Sequence, residues 1–151
     1  MFGKVYRAKI GDKLYALKKI KVEGDHGIHG FPITSIREIK VAKKLANGPN
    51  IVQLVDIVRS KSQAVYLVFE YVEFELAKIL RKKEDVVVFD KIQLKYLMKQ
   101  MLDGLNFMHK NRIIHRDIKC ENILLNSQGI IKFADFGLAR DLLPSHTNAE
   151  G

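Results

Sequence analysis

The chain has 151 residues, 47% hydrophobic and 28% charged, which suits a folded domain or a piece of one and excludes a disordered chain. Its longest apolar runs, such as Val86-Val87-Val88-Phe89, fall far short of the roughly 20 residues of a membrane span, and a single cysteine, Cys120, excludes an intrachain disulfide and fits a reducing compartment. The net charge of +9 is concentrated in residues 1–46, which hold 11 basic and 4 acidic side chains; this fits a solvated lysine-rich face, a phosphorylated ligand, an acidic partner or nucleic acid.

In chain order, Val5 to Ala8 and Leu14 to Ile20 are β-prone runs separated by the turn signal Ile10-Gly11-Asp12-Lys13. A loop rich in Gly and His follows from Glu23 to Gly30. Pro32 suits the first position of a helix, which Asn47-Gly48-Pro49 should stop. Ile51 to Arg59 and Ala64 to Tyr71 are two further strands. The pattern then turns helical. Leu76, Ile79 and Leu80 mark a short helix, and Leu94, Leu97, Met98, Met101, Leu105 and Met108 mark a long one from Asp90 to Asn111. Ile123 to Leu125 and Ile130 to Ala134 form a last hairpin around Asn126-Ser127-Gln128-Gly129. A strand-rich part followed by a helical part predicts an α+β fold with a hinge near Val72 to Phe74.

The chemistry concentrates around that last hairpin. Antiparallel strands lie about 5 Å apart, so Asn122 before the first strand and Asp135 after the second emerge side by side. Two oxygen-bearing side chains converging there suit Mg2+, which takes one or two carboxylates together with phosphate oxygens and water. Asp117 lies on the same loop, within reach of a group held by that metal. Either turn alone is an ordinary polar surface turn; both in this order and spacing are not. Upstream, period-two alternation puts Leu14, Ala16 and Lys18 on one strand face. Ala16 leaves room for a flat ring and Lys18 can reach attached phosphates, although an edge-strand lysine is also common. Glu38 shares a helix stripe with Val41, Ala42 and Leu45, and a half-buried carboxylate needs a cation, for which Lys18 is the candidate.

With these residues in view, the chain resembles a eukaryotic protein kinase domain: Ala16-Leu17-Lys18, His115-Arg116-Asp117 through Asn122, and Asp135-Phe136-Gly137 match its lysine, catalytic-loop and metal motifs. Pro32-Ile33-Thr34-Ser35-Ile36-Arg37-Glu38 is similar to the cyclin-contacting helix of cyclin-dependent kinases. That helix, with Phe69-Glu70-Tyr71 and the Cys120 loop, is most similar to transcription-associated members acting on the RNA polymerase II tail. The resemblance implies a two-lobe fold: a β-rich lobe over 1–71, a hinge over 72–74, and the first part of a helical lobe over 75–151. It implies Ser/Thr phosphorylation in the nucleus, with the cytoplasm as an alternative location, using ATP and Mg2+, Asp117 taking the hydroxyl proton and Lys119 neutralising the moving phosphoryl group. Lys18, fixed by Glu38, would hold phosphates, and Asn122 and Asp135 the metal. Val5, Ala16 and Leu124 would sandwich adenine, with backbone groups of Glu70 and Val72 on its edge and Phe69 as gatekeeper. Glu75, Glu121 and Ala134 complete the nucleotide set. Arg116 implies activation by phosphorylation, with Thr147 near the family's phosphothreonine position; an ordinary loop threonine is the alternative.

Departures from the family pattern lie at the two ends. Only Gly3 of the glycine-rich loop is present, and the chain stops at Gly151 before the Ala-Pro-Glu signature. A kinase fragment with little turnover of its own is therefore expected, its long helix exposing an apolar side. The alternative is a non-catalytic, cyclin-binding kinase remnant. Direct nucleic-acid binding has only net charge behind it, and no membrane contact is expected.

Overall fold

The computed structural model describes residues 4–20, 32–81 and 89–142; Gly3, the Glu23 to Gly30 segment and Thr147 lie outside them. Strands β1 (Val5–Ile10) and β2 (Lys13–Lys19) form an antiparallel hairpin with Ile10 opposite Lys13. Its two-residue turn depends on Gly11, whose φ of 59° is one that side-chain-bearing residues rarely adopt.

Helix α1 (Ile33–Lys44) begins one residue later than expected. Pro32 keeps an extended ψ of 134° and sits just outside the helix, its carbonyl accepting from the N–H groups of Ser35 and Ile36. The helix also ends sooner, at Lys44, and the left-handed residue beyond it is Asn47 (φ 60°) rather than Gly48. Gly48 is required for space instead. A Cβ there would lie 2.1 Å from Cε1 of Phe107.

Strands β3 (Leu54–Arg59) and β4 (Val65–Glu70) complete a four-stranded sheet in the order β1-β2-β4-β3. The expected start of β3 at Ile51 is wrong for a specific reason. Residues 50–52 are drawn away to a strand in the second half: Val52 N–H donates to the Phe133 carbonyl at 2.9 Å, and Phe133 N–H to the Asn50 carbonyl at 2.8 Å.

Beyond β4 come β5 (Phe74–Glu75), α2 (Leu76–Arg81), α3 (Lys91–Lys110), β6 (Ile113–Ile114), β7 (Ile123–Leu125), β8 (Ile131–Phe133) and β9 (Arg140–Asp141). The second half is therefore less purely helical than its sequence pattern suggests. Two of its strand pairings, β5 with β7 and β6 with β9, are too short for periodicity to reveal. Asp90 starts α3 with a reciprocal cap: its side chain accepts from Ile92 and Gln93 N–H, and Gln93 Oε1 accepts from Asp90 N–H.

One hydrophobic cluster joins both halves, including Val41 and Leu45 of α1, Leu67 and Phe69 of β4, Leu97 and Met108 of α3, and Ile131 and Phe133 of β8. Helix α3 turns Leu97, Gly104 and Met108 inward, and its opposite side leaves Ile92 79% and Leu102 61% exposed, with Leu94 and Met98 beside them. Of the apolar row read from the sequence, Leu94 and Met98 are exposed as expected, whereas Leu97 and Met108 are buried in the core. No helix among the described residues is long and apolar enough to cross a membrane.

Candidate active site

Between the four-stranded sheet and the β5-β7-β8 sheet lies a cleft of about 540 Å³. From the first sheet and α1 it is lined by Val5, Ala16, Lys18, Glu38, Phe69 and Glu70. Val72, Glu75, Glu121, Asn122, Leu124, Ala134 and Asp135 line it from the connecting segment and the second half. Every expected nucleotide or metal residue thus borders one cavity. Val52 and Tyr71 line it too and were not anticipated. Val52 belongs to the stretch drawn toward β8, a placement that local pattern does not encode.

Lys18 is the electrostatic centre. Its ammonium lies 2.7 and 2.8 Å from the two carboxylate oxygens of Glu38 and 3.0 Å from Oδ1 of Asp135. Burial by itself would lower the Lys18 pKa, but the two carboxylates outweigh it and hold the group above its ordinary value. Burial pushes the Glu38 carboxyl up, against the pull of Lys18. Strand β2 supplies the lysine, α1 the glutamate, and the segment after β8 the aspartate. Three distant pieces of chain meet at one cation.

The second group lies on the loop before β7. Lys119 Nζ donates to both oxygens of Asp117 at 3.0 and 2.8 Å, and Asn122 Nδ2 donates to Asp117 Oδ2 at 2.8 Å and to its carbonyl at 2.8 Å. The Lys119 hydrogen bond is the main cause holding the Asp117 carboxyl below its usual range. Asp117 does not line the cavity itself; it is tied to it through Asn122. His115 is the strut beneath. Buried against Phe136, with ring centroids 5.2 Å apart, it accepts from Asp117 N–H at Nδ1 and donates from Nε2 to the Ala134 carbonyl. Burial lowers its pKa and favours the neutral ring those two bonds require.

The backbone is strained at the residues that matter. Arg116 and Asp135 have φ of 68° and 63°, a region costly for residues with a Cβ. The strain turns Arg116 toward the segment after Asp135, where its Nε donates to the Leu138 carbonyl at 2.9 Å. Arg37 reaches the neighbouring Gly137 carbonyl at 3.2 Å. Arg140 is the third member: partial burial, then the charges of Arg37 and Arg116, lower its pKa. Three guanidinium groups crowd one region, and only Arg116 was singled out in the sequence.

The donor set suits Mg2+. Asn122 commits its amide nitrogen to Asp117, which leaves its oxygen as the acceptor, and Asp135 uses Oδ1 for Lys18. No group of three or more His, Cys, Asp or Glu among the described residues could hold a metal. One amide oxygen and one carboxylate fit an ion that completes its shell with phosphate oxygens and water.

Comparison with known proteins agrees with this architecture. Residues 1–150 match the protein kinase domain family, and the chain belongs to that family. It is 46% identical to cyclin-dependent kinase 12 of Drosophila melanogaster over 92% of its own length and 12% of that protein's. It is 44% identical to CTD kinase subunit alpha of Saccharomyces cerevisiae over 93% of this chain and 26% of the relative. Human cyclin-dependent kinase 9 is 41% identical over 92% and 38%. Among solved structures, the yeast RNA Pol II CTD kinase CTDK-1 complex is similar at a TM-score of 0.82 and 42% identity, covering 96% of this chain and 45% of that one. The chain thus spans less than half the length of each of these proteins.

Proposed function

We propose that the protein carrying this chain transfers the γ-phosphoryl group of ATP to Ser or Thr hydroxyls of a protein substrate. The observation that supports this most is the joint placement of Lys18, Glu38, Asn122 and Asp135 around one cleft, with Asp117 hydrogen-bonded to Asn122. Lys18 neutralises the α- and β-phosphates, and Glu38 holds it there. Asn122 and Asp135 would hold Mg2+, which would supply charge screening for the transferring group. Val5, Ala16 and Leu124 contact the adenine faces, backbone groups of Glu70 and Val72 its edge, and Phe69 closes the rear; Glu75, Glu121 and Ala134 border the same pocket. Asp117, ionised well below neutrality, orients the attacking hydroxyl and takes its proton late, as a loose phosphoryl transition state allows. Lys119 stays beside it to neutralise the phosphoryl oxygens.

The nucleotide site lies between a first lobe over 1–71 and a second over 75–151, joined at 72–74. Its partner is a cyclin on α1, whose outward Ile33 and Ile36 are 67% and 38% exposed. Its substrate is the RNA polymerase II tail, which places its work in the nucleus, in keeping with relatives that are named as tail kinases. Phosphorylated Thr147 is read by Arg116, together with Arg37 and Arg140.

The test is phosphate transfer from ATP to a polymerase-tail peptide by the protein with its cyclin. Transfer that requires Mg2+ and is lost in Asp117→Asn supports the proposal; transfer unaffected by that change sinks it. The same outward isoleucines favour a second function, cyclin capture without catalysis. Cyclin retention by wild type and Asp117→Asn alike, with no phosphate transfer by either, would select it.

A further inference from the structure

Helix α1 touches the segment that follows β8 at both of its ends. Near the start of the helix, Glu38 reaches Asp135 through Lys18, and Arg37 Nη1 donates to the Gly137 carbonyl at 3.2 Å. At the last helical residue, roughly 9 Å further along the axis, Lys44 Nζ donates to Oδ1 of Asp141 at 2.6 Å. Asp141 belongs to a very short strand pairing: β9 runs antiparallel to β6 with Asp141 opposite Ile113, and Leu142 N–H donates to the Arg112 carbonyl at 2.7 Å. Strand β6 leads directly into His115, Arg116 and Asp117. The two sides of the Lys44 contact differ in firmness. On the helix, Val41, Ala42 and Leu45 are buried in the core, whereas Asp141 and Leu142 are both exposed.

We infer that Lys44 and Asp141 are positioning residues: through an exposed ion pair the firmly packed helix holds the loose strand β9 and, across its pairing with β6, the entry to the loop that carries Asp117. The inference rests on the function proposed above. Arg37 and Glu38 anchor the start of the segment and Arg116 holds it at Leu138, which leaves the far end to a two-residue ladder. Lys44 adds a side-chain hold at that end. A cyclin seated on α1 then bears on the Asp117 loop through β9 as well as through Lys18. Both side chains of the pair face water, at 44% and 60% exposure, so the hold weakens as salt rises.

A charge-reversal cycle with two readouts tests this. In amide hydrogen exchange on the chain, Lys44→Glu and Asp141→Lys should each speed exchange at Leu142 about threefold, the scale of one exposed ion pair, while the amides of Val41 to Leu45 keep their rates. The double variant, Lys44→Glu with Asp141→Lys, should return Leu142 to within about twofold of wild type. In phosphate transfer by the protein with its cyclin, each single reversal should lower kcat about threefold and leave KM for Mg–ATP unchanged, and the double variant should recover it. Raised salt should narrow the gap between the single variants and wild type; a packing defect would neither shrink with salt nor be cured by the second reversal. Wild-type exchange in both singles, a double variant as impaired as the singles, or faster exchange with unchanged kcat would each overturn the inference. A wild-type protein that transfers no phosphate would instead refute the function proposed above, and the exchange cycle then decides by itself whether the pair holds β9.

Discussion

The carboxylate of Glu38 grips the ammonium of Lys18 with both oxygens, at 2.7 and 2.8 Å, although twenty residues of chain separate them. With Asp135 on the other side, the lysine is held between two carboxylates and has little freedom to wander from the phosphate position. Replacing it by methionine leaves Glu38 buried without its cation, a change that costs several kcal/mol locally and empties the phosphate site of positive charge. Lys18→Met should lower phosphoryl transfer by about 10²–10³-fold. Glu38→Gln should cost less, because Asp135 still holds the lysine. Steady-state assays of both variants decide the order; equal losses would show that Glu38 does more than position Lys18.

Asp117 and Asn122 separate chemistry from binding. Asp117→Asn should reduce turnover by about 10²–10⁴-fold while nucleotide affinity stays near wild type, since Asp117 does not line the cleft. Asn122→Ala removes both the support of Asp117 and a metal donor, and should weaken Mg–ADP binding as well. Paired turnover and calorimetric measurements test the split.

His115 makes stability depend on pH in a definite direction. The unfolded side chain titrates near 6.5, whereas the buried ring titrates lower. Between those two values the unfolded chain binds the extra proton, so stability falls as pH drops through 6.5 toward the folded value. The raised Glu38 pKa works in the opposite sense at lower pH. Urea midpoints at pH 7.5 and 6.0 should therefore differ more for wild type than for His115→Gln. An equal difference would remove His115 as the cause.

Gly48 should tolerate no side chain. The added Cβ of Gly48→Ala falls 2.1 Å from Cε1 of Phe107, so the ring or the loop must shift. A loss of about 1–3 kcal/mol is expected from such overpacking, read as a lower melting temperature. Phe107→Leu added to it should recover part of the loss by clearing the ring.

The crowding of Arg37, Arg116 and Arg140 implies a gain from a doubly charged anion. Under the proposed reading, in which phosphorylation of Thr147 activates the protein, Arg37→Gln should blunt that activation without changing the affinity for Mg–ADP, because Arg37 contacts Gly137 and not the cleft. Full activation in Arg37→Gln would detach it from that role.

The parts of the site written in contiguous runs were readable. His115 to Asn122 and Asp135 to Gly137 each carry several functional groups on one turn, and the Lys18–Glu38 pair follows from a strand face and a helix stripe that period alone reveals. Interactions created only by long-range closure were not. Ile113-Ile114 gives no hint of its pairing with Arg140-Asp141, and Ile51-Val52 looks like the start of a strand until Phe133 is seen to claim it. The contact of Lys44 with Asp141 likewise joins two segments whose local patterns are silent about one another.

The row of leucine and methionine on the water-facing side of α3 has a consequence for how the chain behaves in bulk. Grease on the outside of an otherwise ordinary helix makes solubility a matter of dilution: as copies are brought closer, any oily neighbour lowers the free energy of that wet strip. Swapping Leu94 and Met98 for lysine and glutamate should raise the threshold at which scattered light climbs, while leaving untouched the cleft, which neither residue lines.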